Sequence, residues 1–434
     1  MLDANPSEKF EIRNPQLEMA MSWDAIVVGA GPAGCTAATL LARENLRVVL
    51  LDKSAAPPAK VCGEYLSPGC LRILDQIGAL QPVRDAGARP LCGMAIHTTA
   101  GRTLRATYPR GGKFGDLPIH GLAIRRDRLD PILLDLAIKA GAEFEPNFQV
   151  SDLEWENDRV VGVRGRHRAG MTALRGRLVI GADGRQSVVA RRLGTVRPHP
   201  WLDKVALVGY AAGVARAEDV GEIFLGRDRY CILNPITPDL TNIGLVINRR
   251  DFHHRADPTG FLLEAAGTLS GLGDRLGSAR LVAPIRCLGP LAHQAARLTA
   301  PGALLLGDAA GFLDPFTGEG IHAALRSAEL AAKYALPALI SGPAGPPELH
   351  GYAAAWHREF QAKWRLCTAL QHAIRRPALA EWLVWLLSPR PNLTSLLMAA
   401  IGDLIPSRDL NPLSLMARLL GQWEPPGTSL GQGR

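Results

Sequence analysis

The chain has 434 residues, 47% of them hydrophobic and 21% charged, with 45 Gly and 32 Pro and no repeating period. This apolar content excludes a disordered protein, and at roughly 150 residues per domain the length suits about three domains or two large interleaved ones. The net charge is +8, from 49 basic and 41 acidic residues, yet no run of five like charges occurs and only 6% of residues are aromatic. That pattern argues against nucleic-acid binding and favours a small anionic ligand.

Residues 1–22 carry Asp3, Glu8, Lys9, Glu11, Arg13 and Glu18 without an apolar stretch, so they read as a flexible extension and not as a signal peptide. Ala25 to Val28 is a short apolar run and predicts a buried parallel strand. Gly29-Ala30-Gly31-Pro32-Ala33-Gly34 follows, then an Ala- and Leu-rich stretch, Cys35 to Glu44, predicted as a helix. A second buried strand, Arg47 to Leu51, ends at Asp52, which completes a βαβ unit. Asp127 to Ala140 places Leu129, Leu133, Leu136 and Ala137 on one helical face and is closed by Gly141. Arg177 to Ile180 is a further strand, running into Gly181-Ala182-Asp183-Gly184. Strand-like runs at 91–108 and 202–250, among them Val205 to Tyr210 and Ile243 to Ile247, are broken by Pro and Gly and predict an inserted antiparallel sheet. Ala303 to Leu306 is a strand reaching Gly307-Asp308, and Gly320 to Tyr334 is a long helix. Beyond Pro343 the chain reads as helices with many breakers.

The predicted fold class is therefore α/β: a Rossmann-like dinucleotide-binding domain on a parallel sheet, an inserted antiparallel β-sheet domain for substrate, and C-terminal helices. The extension covers 1–22, and the dinucleotide-binding domain is discontinuous over 23–90, 119–190 and 280–345. The substrate domain covers 91–118 and 191–279, and the helical region 346–434.

The glycine turn has the context that makes such a motif informative. Gly29 permits the tight turn, Gly31 lets the backbone approach a pyrophosphate, and Gly34 lets helix and strand pack closely. A phosphate charge would then sit at the positive end of the helix. Asp52 can accept hydrogen bonds from ribose hydroxyls. A second glycine-rich match, Gly271 to Gly277, follows no apolar strand and reads as a loop. Seven cysteines, an odd number without a CxxC pair, argue against a disulfide framework and against a metal site. With no run of 18 apolar residues there is no predicted membrane-spanning helix, and the cytoplasm is the expected compartment.

Three segments in order, Gly29 to Gly34, Gly181 to Ser187 and Gly307 to Gly320, resemble those of the FAD-dependent aromatic hydroxylase and geranylgeranyl reductase superfamily, whose fold also hosts flavin halogenases. The resemblance spans about residues 23–345 and implies FAD as cofactor, with NAD(P)H as reductant. It implies phosphate and ribose contacts from Gly29, Gly31, Pro32, Ala33, Gly34, Asp52, Lys53, Arg125, Asp183 and Gly184. Gly307 and Asp308 would meet the ribityl chain, and Pro315, Gly318, Gly320 and Ile321 the pyrimidine edge of the flavin. Independently, a glycine-bearing loop opening a helix at Gly320 offers N–H groups and a helix dipole to negative charge on reduced flavin. Lys60-Val61-Cys62-Gly63-Glu64 resembles the Cys-Gly segment of the reductases and the Lys-x-Gly-Glu segment of the halogenases, so Cys62 and Gly63 are expected beside the flavin. One departure stands out: Ala190 replaces an arginine usual after the middle motif, with Arg191 one position later.

The resemblance implies a choice of chemistries. An NAD(P)H-dependent monooxygenase would hydroxylate an aromatic or polyketide-like small molecule through a flavin hydroperoxide, and this is the leading expectation. A prenyl reductase would pass hydride to an isoprenoid alkene. A halogenase would use Lys60, but the Gly-Trp-x-Trp-x-Ile-Pro signature of that family is absent. An electron-transfer flavoprotein is the alternative outside enzymes. Cys62, Tyr230 and Asn234 are the candidate catalytic side chains, with His97 and His120 as further polar candidates. Tyr230-Cys231-Ile232-Leu233-Asn234-Pro235 matches the reductases' Tyr-x-Trp-x-Phe-Pro pocket signature only in part. Trp356, Trp364, Trp382 and Trp385 are half of the chain's eight tryptophans, and Arg375, Arg376 and Arg390 stand among them. These helices are expected to cover the substrate domain, and they also suit peripheral attachment to the inner membrane face.

Overall fold

The computed structural model describes residues 23–57, 60–108, 119–168, 170–252, 257–340 and 349–406. The predicted extension over 1–22 lies outside the described residues, as do 109–118 of the first inserted segment and 346–348 and 407–434 of the helical region.

The apolar runs read from the sequence assemble into one parallel sheet. Its strands lie in the order Glu143–Pro146, Val48–Asp52, Trp23–Val28, Gly170–Gly181 and Ala303–Leu305, with Thr299–Ala300 antiparallel at the edge. Ile26, Val27, Leu50, Leu51, Val179, Leu304 and Leu305 are fully buried. Such strands read as continuous apolar runs because helices cover both faces, and each buried large side chain contributes about 1.5–3 kcal/mol. The helix Pro32–Ala42 begins with proline at its first turn, where a missing N–H costs nothing, and packs against the long helix Gly320–Ile340. Gly170–Gly181 is much longer than the predicted run at 177–180, because its first half forms a hairpin ladder with Arg159–His167.

The second sheet is built around Lys204–Ala212, Leu240–Asn248, Arg229–Thr237 and Val220–Gly226, joined antiparallel. It departs from the expectation in two ways. Gly93–His97 pairs parallel with Val220–Gly226, so the sheet is mixed; the two strands come from chain segments separated by an excursion through the first domain. Arg280–Leu281 and Arg286–Leu288 pair with Lys204–Ala212, which carries this sheet past the expected boundary at 279. The second glycine-rich match holds a single helical turn, Gly273–Leu276, with no strand before it.

The C-terminal helices divide their duties between the substrate domain, which they are expected to cover, and the dinucleotide-binding domain. His350–Ile374 packs against Gly320–Ile340, and its Tyr352, Trp356 and Phe360 join the core of the parallel sheet. Pro391–Ile401 packs on the strand Thr103–Thr107 of the second sheet. Among the described residues no helix is long and apolar enough to cross a membrane.

Candidate active site

The register of the parallel sheet brings its motif residues to one edge. Val28 pairs with both Leu51 and Gly181, and Gly181 with Leu305, so the four strands end level. From these ends emerge Gly29, Asp52, Asp183 and Gly307-Asp308, the crevice where open α/β sheets bind ligands.

Backbone packing shapes the first turn. Gly29 has φ +105°, and a Cβ there would lie 2.5 Å from the Ala182 carbonyl oxygen. A Cβ on Gly34 would lie 1.9 Å from the Gly29 carbonyl oxygen. Gly31, in contrast, faces open space apart from the Lys60 ammonium, 3.2 Å from where a Cβ would be. Asp52 braces the turn by accepting the Ala30 N–H at 2.9 Å and the Ser54 N–H at 2.8 Å, which leaves carboxylate lone pairs for further donors. Asp183 caps the following turn through the Val188 N–H at 2.6 Å, while its Oδ1 is buried and, among the described residues, has no hydrogen-bond partner. Burial pushes the Asp308 carboxyl up, and His293, Arg126, Lys60 and Arg185 pull it back. Arg126, Lys60 and Arg185 make the crevice a positive field suited to phosphate.

The second loop is anchored by side chains. Asp314 Oδ1 accepts the Phe316 N–H at 3.0 Å, the Gln371 amide at 2.7 Å and the Tyr230 hydroxyl. Lys204 in turn donates to Gln371 at 2.8 Å. Gly318 has φ +68° and lies against the Tyr65 ring, and Gly320 opens the long helix. Ile321 is buried just behind it, and the Gly307 N–H donates to Ser327 Oγ at 2.9 Å.

A family model described as FAD binding domain matches residues 22–237. A digeranylgeranylglycerophospholipid reductase of Methanopyrus kandleri is 29% identical over 346 residues, covering 78% of this chain and 83% of the relative. The chain resembles the FAD-dependent aromatic hydroxylase and geranylgeranyl reductase superfamily. It is an FAD-dependent oxidoreductase. A pyrrole-2-carbonyl carrier-protein chlorinase of Pseudomonas fluorescens is also similar, 24% identical over 340 residues, 71% of this chain and 75% of that one. The solved structure of a flavoprotein dehydrogenase from Cytophaga hutchinsonii shares the fold, with a TM-score of 0.78 at 20% identity over 90% of this chain and 95% of that one.

The crevice of this flavoenzyme fits FAD. Gly31 and Gly63 both face space that a side chain would enter, and the helix start at Pro32-Ala33 and the cations around Asp308 suit a pyrophosphate. Gly29, Gly31, Gly34, Asp52, Lys53 and Gly184 would hold the nucleotide half, and Asp308 with Pro315, Gly318 and Gly320 the flavin half. Of the two neighbouring arginines, Arg125 turns to Asp127 and lies 4.8 Å over the Tyr210 ring. Arg126 is buried, pairs with Asp130 at 2.6 Å and acts on both Cys62 and Asp308. Sequence reasoning singled out Arg125 and missed Arg126.

Of the three candidate catalytic side chains, Asn234 meets the Cys62-Gly63 segment and Tyr230 meets the second loop. Burial pushes the Cys62 thiol up, with Arg126 pulling it partly back, so it is no ready thiolate. Asn234 donates to the Gly63 carbonyl at 2.8 Å, and Asn242 to that of Cys62 at 3.1 Å, so both amides position the Cys-Gly segment. Tyr230 is 0% exposed and committed to Asp314, which makes it a positioning residue for the loop. His97 is bound to Glu222 and Thr103, both at 3.0 Å, and His120 is half-buried with burial lowering its pKa. Glu64, which closes the Lys60 to Glu64 segment, has φ +55° and accepts the Arg126 N–H at 3.0 Å and the Tyr210 hydroxyl. Among the described residues no group of His, Cys, Asp and Glu could hold a metal ion.

Proposed function

We propose that this flavoenzyme, with electrons from NAD(P)H, saturates carbon–carbon double bonds of an apolar, isoprenoid-like substrate. One observation carries the reading, an apolar slot between the second sheet and the helix Pro391–Ile401. Met94, Ile96, Leu104 and Ala106 line it from two strands, Leu397, Met398 and Ile401 from the helix, and Phe316 of the second loop reaches it. Bound FAD supplies hydride chemistry, and an isolated alkene needs a dry approach to it and a proton, not a side-chain base that activates a ring. Asn234 and Asn242 hold the Cys62-Gly63 backbone in place, and the Tyr230–Asp314 pair fixes the start of the loop. The similarity to archaeal lipid reductases supports the same assignment.

Hydroxylation of an aromatic or polyketide-like molecule is the second reading. The buried Tyr65 and Tyr108 hydroxyls, hydrogen-bonded to each other beside Gly318, favour it as a pair able to orient a ring hydroxyl. Halogenation is less well supported, because the Lys60 ammonium rests over Gly31, where it suits a phosphate. Anaerobic incubation of the NAD(P)H-reduced holoenzyme with prenyl lipids separates these readings. Saturated product without oxygen is expected; label incorporated from ¹⁸O₂ into an aromatic substrate would overturn the reductase assignment.

Membrane attachment belongs to the same proposal. On the helix Pro377–Leu387, Trp382 and Trp385 are 51% and 57% exposed, with Arg375 and Arg376 exposed at its start. A tryptophan face rimmed by arginines suits an anionic lipid surface. Salt-sensitive co-sedimentation with vesicles containing phosphatidylglycerol is expected, and its absence would remove this part of the reading.

A further inference from the structure

A cavity of about 210 Å³ lies between the starts of the helices Pro68–Gln76 and Gly320–Ile340, the middle of His350–Ile374, and the segment 403–406. A water needs roughly 10–15 Å³ measured in this way, so the cavity has room for several. Its wall grades inward: Arg72 and Glu359 are 45% and 35% exposed at the side chain, while Asp403 and Lys363 deep inside are 8% and 5%. Glu319, from the second loop, forms part of the inner wall.

The hydrogen bonds of that inner wall leave one group over. Lys363 Nζ donates to the carbonyls of Ala400 at 2.9 Å and Ile401 at 3.0 Å, and to Asp403. An ammonium has three protons, so Lys363 has none left. Asp403 is its counter-charge, held further by Ser67 at 2.6 Å and His322 at 3.2 Å. Glu319 Oε1 lies 3.6 Å from the same ammonium and, among the described residues, is buried without a hydrogen-bond partner. A second carboxylate is not needed to neutralise Lys363, and burying it costs free energy unless it has another use.

We propose that Glu319 is a proton relay between this cavity and the flavin bound on the loop to which Glu319 belongs. The inference rests on the assignment of that loop to the flavin. Electrons delivered to a flavin are accompanied by protons, and the reactions that follow consume or return them. Here the Glu319 carboxyl releases one proton toward the loop side and recovers one from cavity water, with His322 next along the wall; no electrons move. The surroundings pull both ways, with the balance on the side of a held proton. Burial pushes the Glu319 carboxyl up, more than Lys363 pulls it down, and Asp403 adds to the rise. Burial keeps His322 low against the pull of Asp403, so it exchanges protons without a standing charge. Arg326 on the same helix is taken by Glu329 and by Glu359, the latter at 3.0 Å, and Arg72 by Glu329 at 2.7 Å.

The test uses full-length holoenzyme, reduced anaerobically and subjected to a pH jump while flavin absorbance reports its protonation. Glu319→Gln should slow that relaxation about tenfold or more, and His322→Gln should slow it less. Glu319→Asp should relax within about threefold of wild type. FAD affinity should stay within about threefold in all three. Relaxation at the wild-type rate in flavin-loaded Glu319→Gln overturns the relay. So does loss of FAD from Glu319→Gln when wild type retains it, since the residue is then only a structural support. Failure of alkene reduction in wild type, with relaxation still dependent on Glu319, would refute the substrate and leave the relay standing.

Discussion

The two glycine-bearing loops at the edge of the parallel sheet are held by different physics. The loop at 29–34 is shaped mainly by hard contact, Gly29 against Ala182 and Gly34 against Gly29, with Lys60 above it and Asp52 bracing the Ala30 N–H. The loop at 314–320 lies between two buried charged groups, Asp314 with Lys204 and Gln371 at one end, and Glu319 with Lys363 and Asp403 at the other. The helix His350–Ile374 supplies both Lys363 and Gln371, so one distant element serves both ends. Steric closure at the nucleotide end leaves no room for a side chain at Gly29 or Gly34. Charge closure at the flavin end is adjustable and responds to protons.

The most severe break is predicted at the steric end. Gly34→Val would drive a side chain into the Gly29 carbonyl, and should cost upwards of about 4 kcal/mol and abolish FAD retention, read by thermal melting and flavin fluorescence. At the charged end Lys363→Met strands Asp403 and Glu319, and should cost about 3–5 kcal/mol in urea unfolding. Adding Asp403→Leu to that variant should recover part of the loss, because an apolar replacement of the whole pair removes the stranded charge.

Two carboxylates should show opposite pH slopes. Although burial raises it, the Glu222 carboxyl is held below its ordinary value by His97 and Arg275, so its stabilisation is present above about pH 4.5 and lost as pH falls through the folded-state value. Burial holds Asp314 above its ordinary value despite Lys204, so its contribution is present below about pH 3.8 and lost as pH rises through the folded-state value. Glu222→Gln should therefore be less stable than wild type by about 1–3 kcal/mol at neutral pH, with the gap closing in acid. Asp314→Asn should flatten the decline of stability with rising pH; denaturant titrations across pH 3 to 8 check both. The smallest effect on stability is expected at the surface. Trp382→Ala with Trp385→Ala should change unfolding by less than about 0.5 kcal/mol while removing vesicle binding.

The contrast between the loops also marks how far the site could be read in advance. The glycine turn, Asp52 and Asp308 stand out because each lies within a few residues of a strand end, so periodicity and spacing expose them. Nothing local distinguishes Arg126 from Arg125; the direction of the helix that begins there buries one and exposes the other. Asn242 is invisible as a partner of Cys62, since the contact spans 180 positions and depends on strand register. Tyr230 and Asn234 carried family resemblance, yet the structure commits both to holding backbone or loop.

By itself the sequence determined an α/β chain with a parallel sheet, a dinucleotide turn and two later motifs whose order points to FAD, because strands, turns and glycine loops are specified by neighbours in the chain. Only the tertiary structure decided which groups close the flavin loop. Buried ion pairs and amide clamps form between residues 40 to 180 positions apart, and their partners are selected by packing geometry that no local pattern encodes. The mild positive charge gained a place in the same way: some of it is gathered at the crevice by Lys60, Arg126 and Arg185, some lies buried as Lys204 and Lys363, and some rims an exposed tryptophan face.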